Sequence, residues 1–281
     1  MIGASGETAG ELGRSGSGPG EFRAAVFGTS SGDTLFLFDR TNRRLSVFDR
    51  DGRFVRAAPA PLHTLALLWL PNTREIVLNA NVSDGDRAGL AFHVFDALGN
   101  QLRSFGAVEV PVLPTNPWAP AWRRVGLDRL GRIVSSSVLD RFEVEAYTSD
   151  GHLEAQYRVR MPEFKPADRN SSRIPPPPAT VEAIRSDNAD RVWALVSVPD
   201  RRWRDGIGLT RVESEKTWKV DWIDPPRYQD TMILILDLSP ARIVARKRLD
   251  ELCRFISPRG ELVCDGENPD GSYRLDVRSM A

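Results

Sequence analysis

Apolar and polar residues alternate along this chain in short runs with a period of two, broken by glycine, proline, asparagine and aspartate. That period marks β-strands, whose successive side chains point to opposite faces of a sheet. Helical spacing is hard to find. The runs also repeat. An apolar stretch closing on an aromatic or leucine before an acidic residue recurs as Leu45-Ser46-Val47-Phe48-Asp49 and Phe92-His93-Val94-Phe95-Asp96. Looser copies are Val144 to Thr148, Ile233 to Asp237 and Tyr273 to Val277.

Turn residues follow the first three copies. Asp51-Gly52, Gly99-Asn100 and Asp150-Gly151 read as tight hairpin turns that need positive φ. A fourth strand comes next, as in Gln101 to Phe105 and His152 to Tyr157. Inner hairpins repeat as well, most clearly from Val125 to Val134 and from Phe255 to Val263. Repetition of this kind predicts an all-β chain, a β-propeller of four-stranded antiparallel blades with about five visible. The blades are expected at residues 22–60, 61–108, 120–160, 177–250 and 251–281 of a single propeller domain, with an insertion at 199–230. Pro-rich joints from Val110 to Pro120 and from Pro162 to Pro178 read as surface loops, because the repeat continues on both sides.

The stretch Gly13-Arg14-Ser15-Gly16-Ser17-Gly18-Pro19-Gly20-Glu21-Phe22 resembles the G-R-x-G-x-G-P-G-E-F joint of bacterial NHL-like six-bladed β-propellers. Asp39 to Gly52, reading DRTNRRLSVFDRDG, is similar to their D-x-x-N-x-R-x-x-V-F-D-x-D-G blade. The match is specific over residues 13–56, weaker to residue 160, and faint beyond. In such relatives an export signal and a first blade precede the joint. Here only Met1 to Leu12 do, and they lack a basic flank and an apolar stretch. The resemblance therefore implies a five-bladed ring or an incomplete six-bladed one. It also implies a true start upstream, with a periplasmic or secreted location in that case. Phe22 is expected to enter the next core between blades.

Charge narrows the function classes. The 281 residues carry 38 basic and 38 acidic side chains, so the basic excess of a nucleic-acid-binding surface is absent. No apolar run is long enough to span a membrane as a helix. His63, His93 and His152 stand singly. Ser135-Ser136-Ser137 sits in a strand without the elbow of a hydrolase nucleophile.

Three features remain as candidate sites. The insertion holds Trp203, Trp218 and Trp222 among Arg201, Arg202, Arg204, Arg211, Lys216 and Lys219. Exposed tryptophans beside arginines are the residue types that anchor partners, whereas tryptophans folded back would merely cover one face. Of these, Trp203, Arg204, Trp218 and Trp222 form the expected contact surface for a protein, small-molecule or carbohydrate ligand. Trp118 and Trp122 flank Pro120 and read as packing between blades.

Cys253 and Cys264 lie on the two arms of the last inner hairpin. A two-residue loop at Pro258-Arg259 would pair them as a disulfide; a three-residue loop with a bulge at Gly260 would set them out of register as thiols. Asp33, Asp39, Asp49, Asp51, Asp128 and Asp150 could hold calcium, but they fall where hairpins prefer aspartate. The expected function is a non-catalytic ligand- or protein-binding propeller with no cofactor. The alternative is a metal-dependent hydrolase or lyase with its site at the central channel.

Overall fold

The computed structural model describes residues 12–60, 63–81, 89–108, 122–138, 142–164, 176–187, 191–212, 217–222, 228–238, 241–257 and 260–279. The fold is all-β, a β-propeller. Two short strands, β1 (Arg14–Ser15) and β2 (Glu21–Phe22), pair in parallel. Blade one is β3 (Ala25–Ser31), β4 (Thr34–Asp39), β5 (Arg44–Asp49) and β6 (Phe54–Pro59). Blade two is β7 (His63–Leu70), β8 (Glu75–Asn81), β9 (Leu90–Asp96) and β10 (Gln101–Ala107). Blade three is β11 (Arg123–Leu127), β12 (Ile133–Ser137), β13 (Phe142–Tyr147) and β14 (Leu153–Val159).

Blade four begins with β15 (Thr180–Ser186) and β16 (Arg191–Pro199). The insertion supplies β17 (Ile207–Val212) and β18 (Thr217–Trp222), and the blade resumes with β19 (Gln229–Leu238) and β20 (Ala241–Leu249). Among the described residues blade five has three strands, β21 (Cys253–Ile256), β22 (Glu261–Glu267) and β23 (Tyr273–Ser279). Strands within each blade are ordered as in the chain. The chain divides into two compact units, residues 1–125 with 148–153 and residues 126–147 with 154–281.

In the first unit the core lies between blades one and two. Phe36, Phe38, Leu45 and Val47 pack with Leu67, Ile76, Leu78 and Phe95. Trp69 stacks on Phe36 with ring centroids 5.0 Å apart, a contact worth about 0.5–1.5 kcal/mol beyond the area it buries. In the second unit Val134, Phe142 and Val144 of blade three pack with Val181, Ala194, Val196 and Leu234 of blade four. The other face of blade four, through Leu195 and Ile233, packs with Cys253, Leu262 and Cys264.

The joint and the blade that follows it are locked by named groups. Glu21 accepts from Arg14 Nε at 2.7 Å and from the Gly18 N–H at 2.7 Å. Asn42 Nδ2 donates to the Gly16 carbonyl, and Arg44 donates to the carbonyls of Ser17, Gly18 and Glu21. The N-x-R of the blade motif therefore grips the backbone of the G-P-G-E-F joint. Phe22 reaches Phe48 of blade one, ring centroids 5.5 Å apart. Asp39, fully buried, accepts the N–H groups of Arg23, Ala24, Thr41 and Asn42. Burial pushes its carboxyl up, but the donated hydrogen bonds outweigh burial and hold it below the usual aspartate range.

One turn recurs at six places, starting at Asp49, Asp96, Asp128, Thr148, Ser257 and Asn268. Three residues later a glycine with φ between 77° and 95° donates its N–H to the first residue's carbonyl. The first residue's N–H donates in turn to the residue after the glycine. Three residues therefore form the loop, with glycine in the left-handed position. The glycines of Asp51-Gly52, Gly99-Asn100 and Asp150-Gly151 thus have the positive φ expected of tight hairpins, within loops of three residues. The reason is the first side chain. Asp49 Oδ1 accepts from Asp51 and Arg53 N–H, Asp96 Oδ1 from Leu98 and Asn100, and Asp128 Oδ1 from Leu130 and Arg132.

Bulges repeat too. In β3, β7, β15 and β21 the pairing slips by one residue near the start of the blade's first strand, at positions 26, 65, 182 and 254. In β6, β10 and β20 the outermost strand slips at Val55, Leu102 and Val244. All three of those residues are exposed, which explains apolar side chains in solvent: a bulge turns its extra residue out of the ladder.

The two kinds of slip settle the cysteine register. The last inner hairpin closes with Ser257 N–H on Glu261 O, the three-residue loop expected to separate the cysteines. Ile256 faces Leu262 and Phe255 faces Val263; the bulge at Arg254 then restores one residue, and Cys253 faces Cys264. In the structure the two are joined by a disulfide, fully buried.

Gly151 sits where the turn of blade three meets β10. A Cβ there would lie 2.6 Å from the Phe105 ring, and its φ is 95°. Gly151→Ala is expected to destabilise the chain by about 1–2 kcal/mol from the left-handed backbone alone, and by more through the ring. Urea unfolding midpoints of the variant and the wild type check this, and equal midpoints would contradict it.

Candidate functional site

The insertion leaves blade four after β16 and returns at β19, strands that are buried along most of their length. A single 3-10 turn over Trp203–Gly206 leads into a separate antiparallel ribbon of β17 and β18. Its register pairs Ile207 with Trp222, Leu209 with Val220 and Arg211 with Trp218. Directly opposite residues of an antiparallel pair share a face, so these six positions line one side of the ribbon. The other side carries Gly208, Thr210 and Val212 with Asp221, Lys219 and Thr217. There Lys219 Nζ meets Asp221 at 2.8 Å.

At the ribbon's root the half-buried Trp203 lies edge-on to Tyr228, centroids 6.5 Å apart. The exposed Arg204 guanidinium sits over the Trp203 ring at 5.1 Å. A cation over an indole face is worth about 0.5–1 kcal/mol at an exposed site. The structure therefore brings Trp203 and Arg204 together and sets Trp218 and Trp222 on one ribbon face. Lys216 and Trp118 fall outside the described residues, and Trp122 is half-buried beside β11.

Sequence reasoning missed the charged residues that anchor this root. Asp230, fully buried, accepts from Arg248 Nε at 2.5 Å, and Arg248 Nη2 also donates to the Pro199 carbonyl at 2.6 Å. Asp200 accepts from the Arg202 N–H, and its own N–H donates to the Tyr228 carbonyl. Burial pushes the Asp230 carboxyl up; Arg248 opposes this and Asp200 reinforces it, leaving a raised pKa. The available signal was that Asp200 and Asp230 stand at the two ends of the insertion.

Blade three and blade four also enclose a cavity of about 240 Å³ between β14 and β19–β20. Val144, Val159, Leu236 and Ile243 form its floor, with Arg158, Arg160 and Arg242 at its rim. Arg158 pairs with Glu143 and Arg242 with Asp237, each at 3.6 Å. Loose ion pairs over an apolar floor have the chemistry to hold a small anion with an apolar body.

The remaining candidates lie within the blades and their turns. Asp33 lies 4.0 Å from Arg50, and Asp150 accepts from the Thr148 hydroxyl. Asp51 lies 3.9 Å from Arg50, while Asp39, Asp49 and Asp128 bind N–H groups of their own turns. Ser135 Oγ donates to Glu145 at 3.2 Å, as does the Tyr147 hydroxyl at 3.1 Å, inside blade three. His93 is buried between Ser104 Oγ and the Ala80 carbonyl. No helix among the described residues is long and apolar enough to cross a membrane.

Because the fold favours the protonated form of Asp230, the stability it contributes is present below the unfolded aspartate range and lost as pH rises through its raised folded pKa. The gap in melting temperature between Asp230→Asn and wild type should therefore move in the variant's favour between pH 4 and pH 8. A gap constant across that range would contradict the assignment.

No family model and no curated protein matches the chain. Solved structures do. Hydrazine synthase of Kuenenia stuttgartiensis is similar over 97% of this chain at 12% identity and a TM-score of 0.53, and the chain spans 64% of that one's length. A member of the DUF4221 family from Bacteroides vulgatus is similar over 96%, at 10% identity and a TM-score of 0.59, covering 82% of that chain. A putative exported protein from Bacteroides fragilis is similar over 94%, at 12% identity and a TM-score of 0.55, covering 72% of that chain. At such identities the likeness is one of fold, and it agrees with the blades: the chain is a β-propeller.

Proposed function

We propose that this chain is a non-catalytic binding propeller of the NHL-like kind, and that its partner is a protein engaged by the blade-four ribbon. The observation that carries this reading is the ribbon's register. It lines Trp218, Val220 and Trp222 against Arg211, Leu209 and Ile207 on one side of a sheet that joins no blade. Tryptophan and arginine are the residue types that concentrate binding energy at interfaces. Trp203 and Arg204 extend the same chemistry to the ribbon's root. The ribbon springs from β16 and β19, the most completely buried strands of blade four, so its base is held rigidly.

The test is photo-crosslinking in the source cells from position 209 of the ribbon and from position 220, which stand on the proposed face. A single captured protein, lost when Trp218 and Trp222 are both changed to alanine while the melting temperature stays within about 2 °C, supports the reading. Capture unchanged by the double variant, or a melting temperature that collapses with it, would show that the tryptophans serve to cover the propeller instead.

A further inference from the structure

Blade five ends on a strand whose counterparts elsewhere are interior. The third strands of the other blades, β5, β9, β13 and β19, are buried at nearly every position. In blade five the third strand is β23, and among the described residues it is the outer edge of its sheet. Leu275 is 53% exposed and Val277 62%. Phe255, on the same face through Val263, is 62% exposed. A strand built with interior residues but left on an edge presents unpaired N–H and C=O groups beside uncovered apolar side chains, a template for another strand.

The charges along β23 select what pairs there. Even positions carry Arg274, Asp276 and Arg278, and odd positions carry Leu275 and Val277. Arg274 and Asp276 lie on one face, Nε to Oδ1 at 2.8 Å. Suppose a second β23 runs antiparallel with Leu275 opposite Leu275. Arg274 of each copy then faces Asp276 of the other, twice, by symmetry. On the opposite face Val277 stands across from position 273. Moving the centre by one residue to Asp276 sets Asp276 against itself and Arg274 against Arg278, which repel. Opposite charges directly across an antiparallel pair stabilise it and like charges oppose it. A symmetric pair with an isologous edge is also the commonest form of association for identical chains.

We infer that β23 pairs with β23 of a second copy, centred on Leu275, so that this protein forms a two-fold dimer through a continuous six-stranded sheet. The interface is independent of the blade-four ribbon.

The experiment uses the full chain and light scattering after size-exclusion chromatography. The wild type is expected to be dimeric. Arg274→Asp places aspartate against aspartate, and Asp276→Arg places arginine against arginine, so each variant alone should run as a monomer. Mixed in equal amounts, the two should form a heterodimer, because every cross-pair is again opposite in charge. A role in folding alone would not be rescued by mixing two separately purified variants. Leu275→Cys should give a covalent dimer under mild oxidation that reductant dissolves. A monomeric wild type at every concentration, as when another strand of the same chain covers this edge, would overturn the inference. So would a dimer indifferent to both charge variants, or failure of the mixture to associate.

Discussion

The carboxylate- or hydroxyl-capped turn with glycine in its third loop position is the constraint on which the rest of this molecule depends. At these hairpins it sets where the flanking strands end, because the first side chain accepts N–H groups from its own loop. At Gly99 and Gly151 it also sets how closely neighbouring blades approach, because there the glycine lies against the preceding blade. A Cβ on Gly99 would lie 2.1 Å from Ala58 Cβ, and one on Gly151 would meet Phe105. The same glycine thus supplies both a left-handed backbone and the space in which an outer strand lies.

Paired with that turn is the bulge near the start of the first strand of blades one, two, four and five. A three-residue loop shifts the register of a hairpin by one relative to a two-residue loop, and the bulge shifts it back. In blade five the compensation brings Cys253 opposite Cys264. In blades four and five the bulged residues are Glu182 and Arg254, which meet at 3.6 Å, while Ser197 Oγ donates to Glu182 at 2.8 Å. A bulge re-aims a side chain, and here it turns two charges toward each other.

Function on such a scaffold lives in what departs from the repeat. The ribbon of blade four is an added sheet on buried strands, and β23 is a regular strand that, among the described residues, lacks the neighbour its counterparts have. The two surfaces differ in physics. The ribbon offers aromatic and guanidinium positions, whereas β23 offers backbone hydrogen bonds and alternating charge. The buried pair of Asp230 and Arg248 links the ribbon's root to β20, so that the insertion is tied to the blade by more than its own two connections.

The period-two pattern, the copies around Val47-Phe48-Asp49 and Val94-Phe95-Asp96, and the aspartates and glycines between them determined the all-β propeller and the order of its blades. They did so because side-chain alternation and turn chemistry are local. The insertion and its tryptophans were legible for the same reason, as an interruption of a repeat. The loop length at each turn, the bulges, and hence the facing of Cys253 and Cys264 were not, since a one-residue slip leaves the pattern of residues unchanged. The pairing of Asp230 with Arg248 was likewise invisible, because the two meet across strands β19 and β20. Only the tertiary structure decided these, since they depend on which residues stand opposite one another across a sheet, and that is set by cumulative register rather than by composition.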